Sequence, residues 1–196
     1  MEQHPFTIVC IGGSAGCLDP AIELVSNLPA DSQMAFVFIT HHDPAKKSLL
    51  PEILARHCAF PVLEITDGLA LQPNRLYTCP SSMDAELGAA LKLTHCMPDR
   101  HSNINCLFES LAKVQGDRSA AVVLSGMLRD GGKGIQAVKE AGGVTFAQDP
   151  VLAAFPSMPA HAIATGCVDY VLSPRQIAEY ISGVLFERKK SLVHVC

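Results

Sequence analysis

Four short runs of this chain are apolar almost throughout: TIVCI (7–11), MAFVFIT (34–40), AAVVLS (120–125) and GVTFA (143–147). A strand with one wet face alternates apolar and polar residues, whereas a strand without that alternation has both faces covered. Segments with helical spacing separate the runs. Asp19-Pro20 reads as a helix start, with Asp19 as N-cap and Pro20 at the first helical position. Its apolar face is Ile22, Val25 and Leu28, flanked by Ala21 and Leu24. Further helices are expected over 46–57 (Leu49, Ile53 and Leu54 on one side), 103–115, 131–141 and 158–165, and from Pro174 to about Phe186. CVDYVL (167–172) adds a strand. This alternation predicts an α/β fold: three layers, α/β/α, doubly wound around a mostly parallel sheet with right-handed crossovers.

Residues 61–94 break the rhythm. PVLEI, RLYTC and ALKLT are strand-like and separated by turn signals at Asp67-Gly68, Pro73-Asn74 and Gly88, with no helical pattern between them. They predict a small β-hairpin addition to the sheet. The 196 residues, 48% hydrophobic and 17% charged, suffice for one core, so a single domain is expected over 1–196, with its core at about 6–184 and a tail over 185–196.

Composition excludes several classes of function. Fifteen basic against nineteen acidic residues give a net charge of −4, without the basic footprint that bulk nucleic-acid binding needs. No apolar run approaches the ~20 residues of a membrane span, so no membrane insertion is expected. The start, Met-Glu-Gln-His-Pro, lacks the basic and apolar regions of a signal peptide, which makes the cytoplasm the expected compartment. The eight cysteines, Cys10, Cys106 and Cys167 among them, sit in apolar segments without a C-x-x-C, as reduced core thiols do. His57-Cys58, His95-Cys96 and His101 fit no zinc spacing, so no metal is expected. The basic Arg188-Lys189-Lys190 reads as a solvated helix end.

In doubly wound folds ligands bind beyond the carboxyl ends of the strands. The first strand runs into Gly12-Gly13-Ser14-Ala15-Gly16, a G-x-S-x-G turn of the kind that exposes a nucleophilic serine. A plain glycine-rich or phosphate-binding turn looks similar, but the spacing is neither G-x-G-x-x-G nor a P-loop. The second strand ends in Thr40-His41-His42-Asp43-Pro44. A histidine there is a general-base candidate if the crossover brings it beside Ser14, and only one of the adjacent pair can face it. The strand at 120–125 runs into Gly126-Met127-Leu128-Arg129-Asp130-Gly131-Gly132. Asp130 is either the N-cap of the helix at 131–141 or the third member of a Ser-His-Asp triad.

Taken together these motifs resemble the catalytic domain of the chemotaxis protein-glutamate methylesterase (CheB) family, and most of all the methylesterase part of methylesterase–methyltransferase fusions. GGSAGC stands where the family has G-A-S-A/T-G-G, and THHDPAKKSLLPEILARH follows its Q-H, L-D-P and K-S-L-L pattern. VVLSGMLRDGG matches V-L-(S/T)-G-(M/T)-G-x-D-G, and AQDPVLAAFPSMPAHAIATGCVDYVL matches the closing stretch. The resemblance spans roughly residues 6 to 184. It implies Ser14 as nucleophile, His41 as base with His42 at a position usually apolar, and Asp130 as orienting acid. The backbone N–H of Met127 is implied as an oxyanion donor, with Gly13 and Ala15 beside the nucleophile. It further implies demethylation of glutamyl methyl esters on the cytoplasmic helices of methyl-accepting chemotaxis receptors, some deamidation of glutamines, and no cofactor. The receiver domain of relatives has no counterpart, so control is expected to be constitutive or to come from a separate regulatory protein. Three residues depart from the pattern: Cys17 and Leu128 replace glycines, and Asn105 stands where aspartate is common. If those glycine positions need positive φ, Cys17 and Leu128 are strained; if the backbone at Leu128 is at negative φ instead, its side chain should narrow the mouth of the site, and by either route Leu128→Gly should raise turnover. The competing expectation is a weakened CheB-like module that binds or signals without turnover; a phosphate-binding domain using Gly12 to Gly16 is the third.

Overall fold

A computed structural model describes residues 4–41, 48–81, 83–95 and 102–185. Among these residues nine strands and six α-helices follow one another as β1 (Ile8–Gly13), α1 (Leu18–Ser26), β2 (Ala35–Thr40), α2 (Leu50–Ala55), β3 (Val62–Glu64), β4 (Arg75–Thr78), β5 (Met83–Leu87), β6 (Leu91–His95), α3 (Asn103–Gln115), β7 (Ser119–Val123), α4 (Gly132–Glu140), β8 (Val144–Gln148), α5 (Ser157–Ala164), β9 (Tyr170–Leu172) and α6 (Pro174–Tyr180). Seven strands form one sheet in the order β3-β4-β2-β1-β7-β8-β9, and every pairing in it is parallel. This is the α/β architecture that the apolar strands predict.

Both faces of the sheet are covered because successive side chains of its central strands point to opposite sides. Val9 and Ile11 of β1 and Phe36 and Phe38 of β2 pack with α1, α2 and α6 through Leu24, Leu54 and Ile177. Ile8 and Cys10, with Val37 and Ile39, pack on the other face against Ile104, Leu107 and Phe108 of α3, Ile135 of α4 and Met158 of α5. All of these side chains are at most 1% exposed.

Three expectations need correction. Only β5 and β6 form the antiparallel hairpin; β3 and β4 instead extend the main sheet in parallel. Strands of three and four residues carry too little pattern to reveal a partner, and β4 finds β2 through Ala35 to Phe38. Helix α1 starts at Leu18 with Cys17 as N-cap, so Asp19 lies within the first turn and caps nothing. The last helix does not run on unchanged: after Tyr180 the chain continues as a π-helical turn, Ile181–Leu185. The tail beyond 185, the expected helix start at 46–47, His42, Cys96 and His101 lie outside the described residues. Among the described residues no helix is long and apolar enough to cross a membrane.

Candidate active site

The strand order reverses between β1 and β7, which opens a crevice at their carboxyl ends. Register puts three chain segments at this edge. Gly13 pairs with Thr40 and Gly12 with Val123, so Ser14, His41 and the loop 124–131 leave the sheet side by side. Ser14 and His41 line one open cavity of about 450 Å³, with residues 15–18 and Thr40 on one side and Ser48, Leu49, Leu50 and Ile53 on the other. Leu18, Leu49, Leu50 and Ile53 make much of this wall apolar.

His41 Nε2 lies 2.9 Å from Asp130 Oδ2. The Asp130 side chain is fully buried and that of His41 is 14% exposed. Asp130 Oδ2 also accepts the Ile104 N–H at 2.9 Å, while Oδ1 accepts from Asn105 N–H at 3.1 Å and Gly131 N–H at 2.8 Å. A carboxylate ringed by N–H groups only accepts, so Nε2 carries the shared proton and Nδ1 keeps the lone pair. Four donors on one carboxylate compensate the cost of burying it.

Neither expected role for Asp130 describes all that it does. The N-cap of α4 is Gly131. Asp130 caps α3 instead, taking the second and third N–H groups of a helix whose own N-cap, Ser102, makes no side-chain cap bond. In exchange, Asn105 Oδ1 accepts the Gly134 N–H of α4 at 2.9 Å. The two helices thus cap one another, and the carboxylate that holds His41 sits at the positive end of α3.

The turn after β1 is held by backbone. Ser14 N–H donates to the Ser125 carbonyl at 2.9 Å, and the Ser14 carbonyl accepts from Cys17 N–H at 3.1 Å. Gly16 has φ +69°, and a Cβ there would come within 2.9 Å of Ala154 Cβ and Phe155 Cδ2, so this position demands glycine. Cys17, by contrast, sits at φ −83°. Among the described residues the only non-glycine residues at positive φ are Gln33 and Asn74. Strain at Cys17 and Leu128, expected if their turns were left-handed, is therefore absent. Leu128 is 40% exposed and is not among the residues that line the cavity. Burial pushes the Cys17 thiol up to about 12, which keeps it protonated beside Ser14.

Among the described residues no hydrogen bond joins Ser14 Oγ to His41, although both line the cavity. Peptide planarity orients two further donors. C=O and N–H of a trans peptide point in opposite directions. The Ser14 carbonyl turns inward to Cys17, so Ala15 N–H points out of the turn. The Gly126 carbonyl accepts Met158 N–H of α5 at 2.9 Å, so Met127 N–H faces away from α5. Gly126 packs so closely on the Ser14 turn that a Cβ there would lie 3.0 Å from Ser14 Cβ. Gly13, between Gly12 and Ser14, ends β1.

Two residues of this site escaped the sequence reading, Ser125 and Gln148. Both are buried polar side chains at strand ends, Ser125 at 0% and Gln148 at 2% exposure. Polar residues at the end of an apolar run, in LSG and FAQD, are the signal that marks them.

Comparison with known proteins gives one consistent answer. Residues 9–181 match the family model described as CheB methylesterase. A protein-glutamate methylesterase/protein-glutamine glutaminase of Bordetella parapertussis is 32% identical over 191 residues, covering 92% of this chain and 54% of that protein. A 104.1 kDa uncharacterized protein of Rhodobacter capsulatus is 38% identical over 145 residues, 72% of this chain and 15% of that protein. The chain thus spans about half the length of the Bordetella parapertussis methylesterase it matches. The crystal structure of the Thermotoga maritima CheB methylesterase catalytic domain superposes with a TM-score of 0.85 at 26% identity, covering 92% of this chain and all of that one.

Proposed function

We propose that this chain, which belongs to the CheB methylesterase family, is a serine hydrolase that removes methyl groups from glutamyl γ-methyl esters on the cytoplasmic helices of chemotaxis receptors. Deamidation of receptor glutamines, the second activity in the names of its relatives, uses the same chemistry. The observation that carries the reading is the pairing of His41 with the buried Asp130, 2.9 Å apart, with His41 lining the cavity that Ser14 shares. Ser14 Oγ attacks the γ-carbonyl while His41 Nδ1 takes its proton, and Asp130 holds the resulting imidazolium through Nε2. Ala15 N–H and Met127 N–H receive the oxyanion. Nδ1 then returns the proton to the departing methoxide oxygen, which leaves as methanol, or to the glutamine amide nitrogen, which leaves as ammonia. Water, activated by the same nitrogen, releases the acyl group as glutamate. No step needs a cofactor, and the work is done in the cytoplasm, where receptor helices present their esters.

The competing reading, a weakened binding module, rests in part on Cys17 and Leu128. Both have ordinary backbone conformations, so neither residue argues for lost activity. The test is methanol release from a methyl-esterified receptor fragment. Ser14→Ala and His41→Ala should each lose at least about 10³-fold in kcat, while His42→Leu retains it. Turnover by Ser14→Ala at the wild-type rate would defeat the proposal, and loss in His42→Leu with retention in His41→Ala would move the base by one residue.

A further inference from the structure

The structure assigns to Ser125 a positioning role: it holds the two oxyanion donors, Ala15 N–H and Met127 N–H, at a fixed spacing. This rests on the reading of Ser14 as nucleophile. Ser125 is the second residue past β7 and is completely buried. Its carbonyl accepts Ser14 N–H at 2.9 Å. Its N–H donates to Gln148 Oε1 at 2.9 Å. Its hydroxyl donates to the Ala15 carbonyl at 2.9 Å and accepts from Phe155 N–H at 3.0 Å. The hydroxyl has one proton, and the Phe155 carbonyl at 3.4 Å is the poorer acceptor, so the proton goes to Ala15.

A buried serine that needs only to be satisfied can bond back to its own strand or turn. Ser125 does the opposite. Its bonds reach the nucleophile turn, the end of β8 and the segment before α5, and its hydroxyl contacts are 110 and 30 residues away in sequence. Two of its bonds bracket the Ser14–Ala15 peptide, one on Ser14 N–H and one on the Ala15 carbonyl. The donor Ala15 N–H lies between them. The second donor, Met127 N–H, is two residues along the chain from Ser125. Ser125 also keeps Ser14 N–H occupied, which leaves Ala15 and Met127, and not the nucleophile's own amide, to meet the oxyanion. A Phe155 N–H to Ser125 O–H to Ala15 C=O relay ties the 149–156 segment to the same geometry.

Losing the hydroxyl should loosen this spacing, and an oxyanion hole acts only in the transition state. Ser125→Ala is therefore expected to lower kcat for a glutamyl γ-methyl ester peptide by about 10–100-fold, with KM unchanged. The pH–rate profile should keep its shape, because the His41–Asp130 pair is untouched. Ser125→Thr keeps the hydroxyl and should recover most of the rate, which a purely structural loss measured per folded molecule would not require. Gln148→Met removes the acceptor of Ser125 N–H and leaves Ser125 itself intact. It should lower kcat in the same direction, and it decides the matter if Ser125→Ala does not fold. Wild-type kcat in Ser125→Ala, a loss carried by KM alone, or wild-type kcat in Gln148→Met overturns the inference. If Ser14→Ala is inactive while Ser125→Ala is wild-type, the inference alone has failed. If Ser14→Ala turns over normally, the reading beneath it has failed as well.

Discussion

The turns after β1 and after β7 meet across the same crevice, yet they are held by opposite means. The first is fixed by main-chain bonds, Ser14 N–H to Ser125 and Cys17 N–H to Ser14, by the hydroxyl of its neighbour Ser125 on the Ala15 carbonyl, and by one glycine at φ +69°. Its functional side chain, Ser14, bears none of the structure. The second is fixed by its functional side chain: Asp130 joins His41, both N-terminal donors of α3 and its own neighbour Gly131. In the proposed mechanism Ser14 must move its hydroxyl to react, whereas Asp130 must not move, and the two turns divide accordingly. Activity and stability should therefore separate at Ser14 and be inseparable at Asp130.

The widest break of this contrast is Asp130→Asn. Both carboxylate oxygens accept backbone N–H groups, so either amide orientation sets an NH₂ against a buried donor. Each donor left without an acceptor costs about 1–3 kcal/mol. His41 also loses the acceptor that fixes its tautomer, and kcat should fall by about 10²–10⁴-fold. Denaturation and methanol release measured together are expected to show both losses, whereas Ser14→Ala should keep its stability within about 0.5 kcal/mol. A stable Asp130→Asn would show that the helix caps are supplied elsewhere.

Asn105→Ala probes the other half of the exchange. It removes the acceptor of Gly134 N–H and leaves its own N–H on Asp130. Stability should drop by about 0.5–2 kcal/mol, as for a lost N-cap. The kcat should change far less than in Asp130→Asn. A kcat loss equal to that of Asp130→Asn would mean that Asn105 orients the acid through α4 as well as supporting it.

How much of this was legible in the sequence depends on how local the cause is. The apolar strands and α3, whose limits of 103 and 115 match the expectation, follow from periodicity within a dozen residues. Ser14, His41 and Asp130 could be named because each follows a strand. What they hold could not. Asp130 caps a helix that starts 27 residues earlier in the chain, and nothing near Ser102 announces that the cap comes from there. Ser125 and Gln148 acquire their roles only when β1, β7 and β8 lie side by side. The early start of α1 is of the same kind: Gly16 turns the chain so that Cys17, not Asp19, begins the helix. At 61–94 the expected small antiparallel pair is present as β5 and β6, but the strands there are too short to encode which neighbour each joins, and β3 and β4 extend the main sheet instead.

Cys17 sharpens the comparison through pH. Its thiol, raised by burial from 9.0 to about 12, stays protonated in the folded chain while the unfolded chain ionises first. The folded state then binds more protons between those values, so stability is full well below pH 9 and falls as pH rises towards 12, by about 1.4 kcal/mol at pH 10. Cys10 is raised by burial too and remains in both proteins compared. Urea unfolding at pH 8 and pH 10 should show a smaller decline for Cys17→Ala than for the parent chain. Equal declines would place the thiol in contact with solvent and make the nucleophile turn looser than its backbone bonds imply.

Leu128 carries the smallest expected effect, and it reverses the expectation drawn from motif alone. A glycine in relatives suggests that leucine strains the turn before Asp130 or crowds the cavity, and either would make Leu128→Gly faster. The backbone there is not at positive φ, and the cavity wall is built from other residues. With no strain to relieve, glycine adds only freedom to the unfolded chain and to the loop, a loss of about 0.5–1 kcal/mol in stability. The acid itself is anchored by four hydrogen bonds two residues further on, so the loop's added freedom does not reach it. Turnover per folded molecule should stay at the parent level. A rise in kcat would show that the acid turn is held back by its own sequence after all, and that the division between a movable nucleophile turn and a fixed acid turn is drawn too sharply.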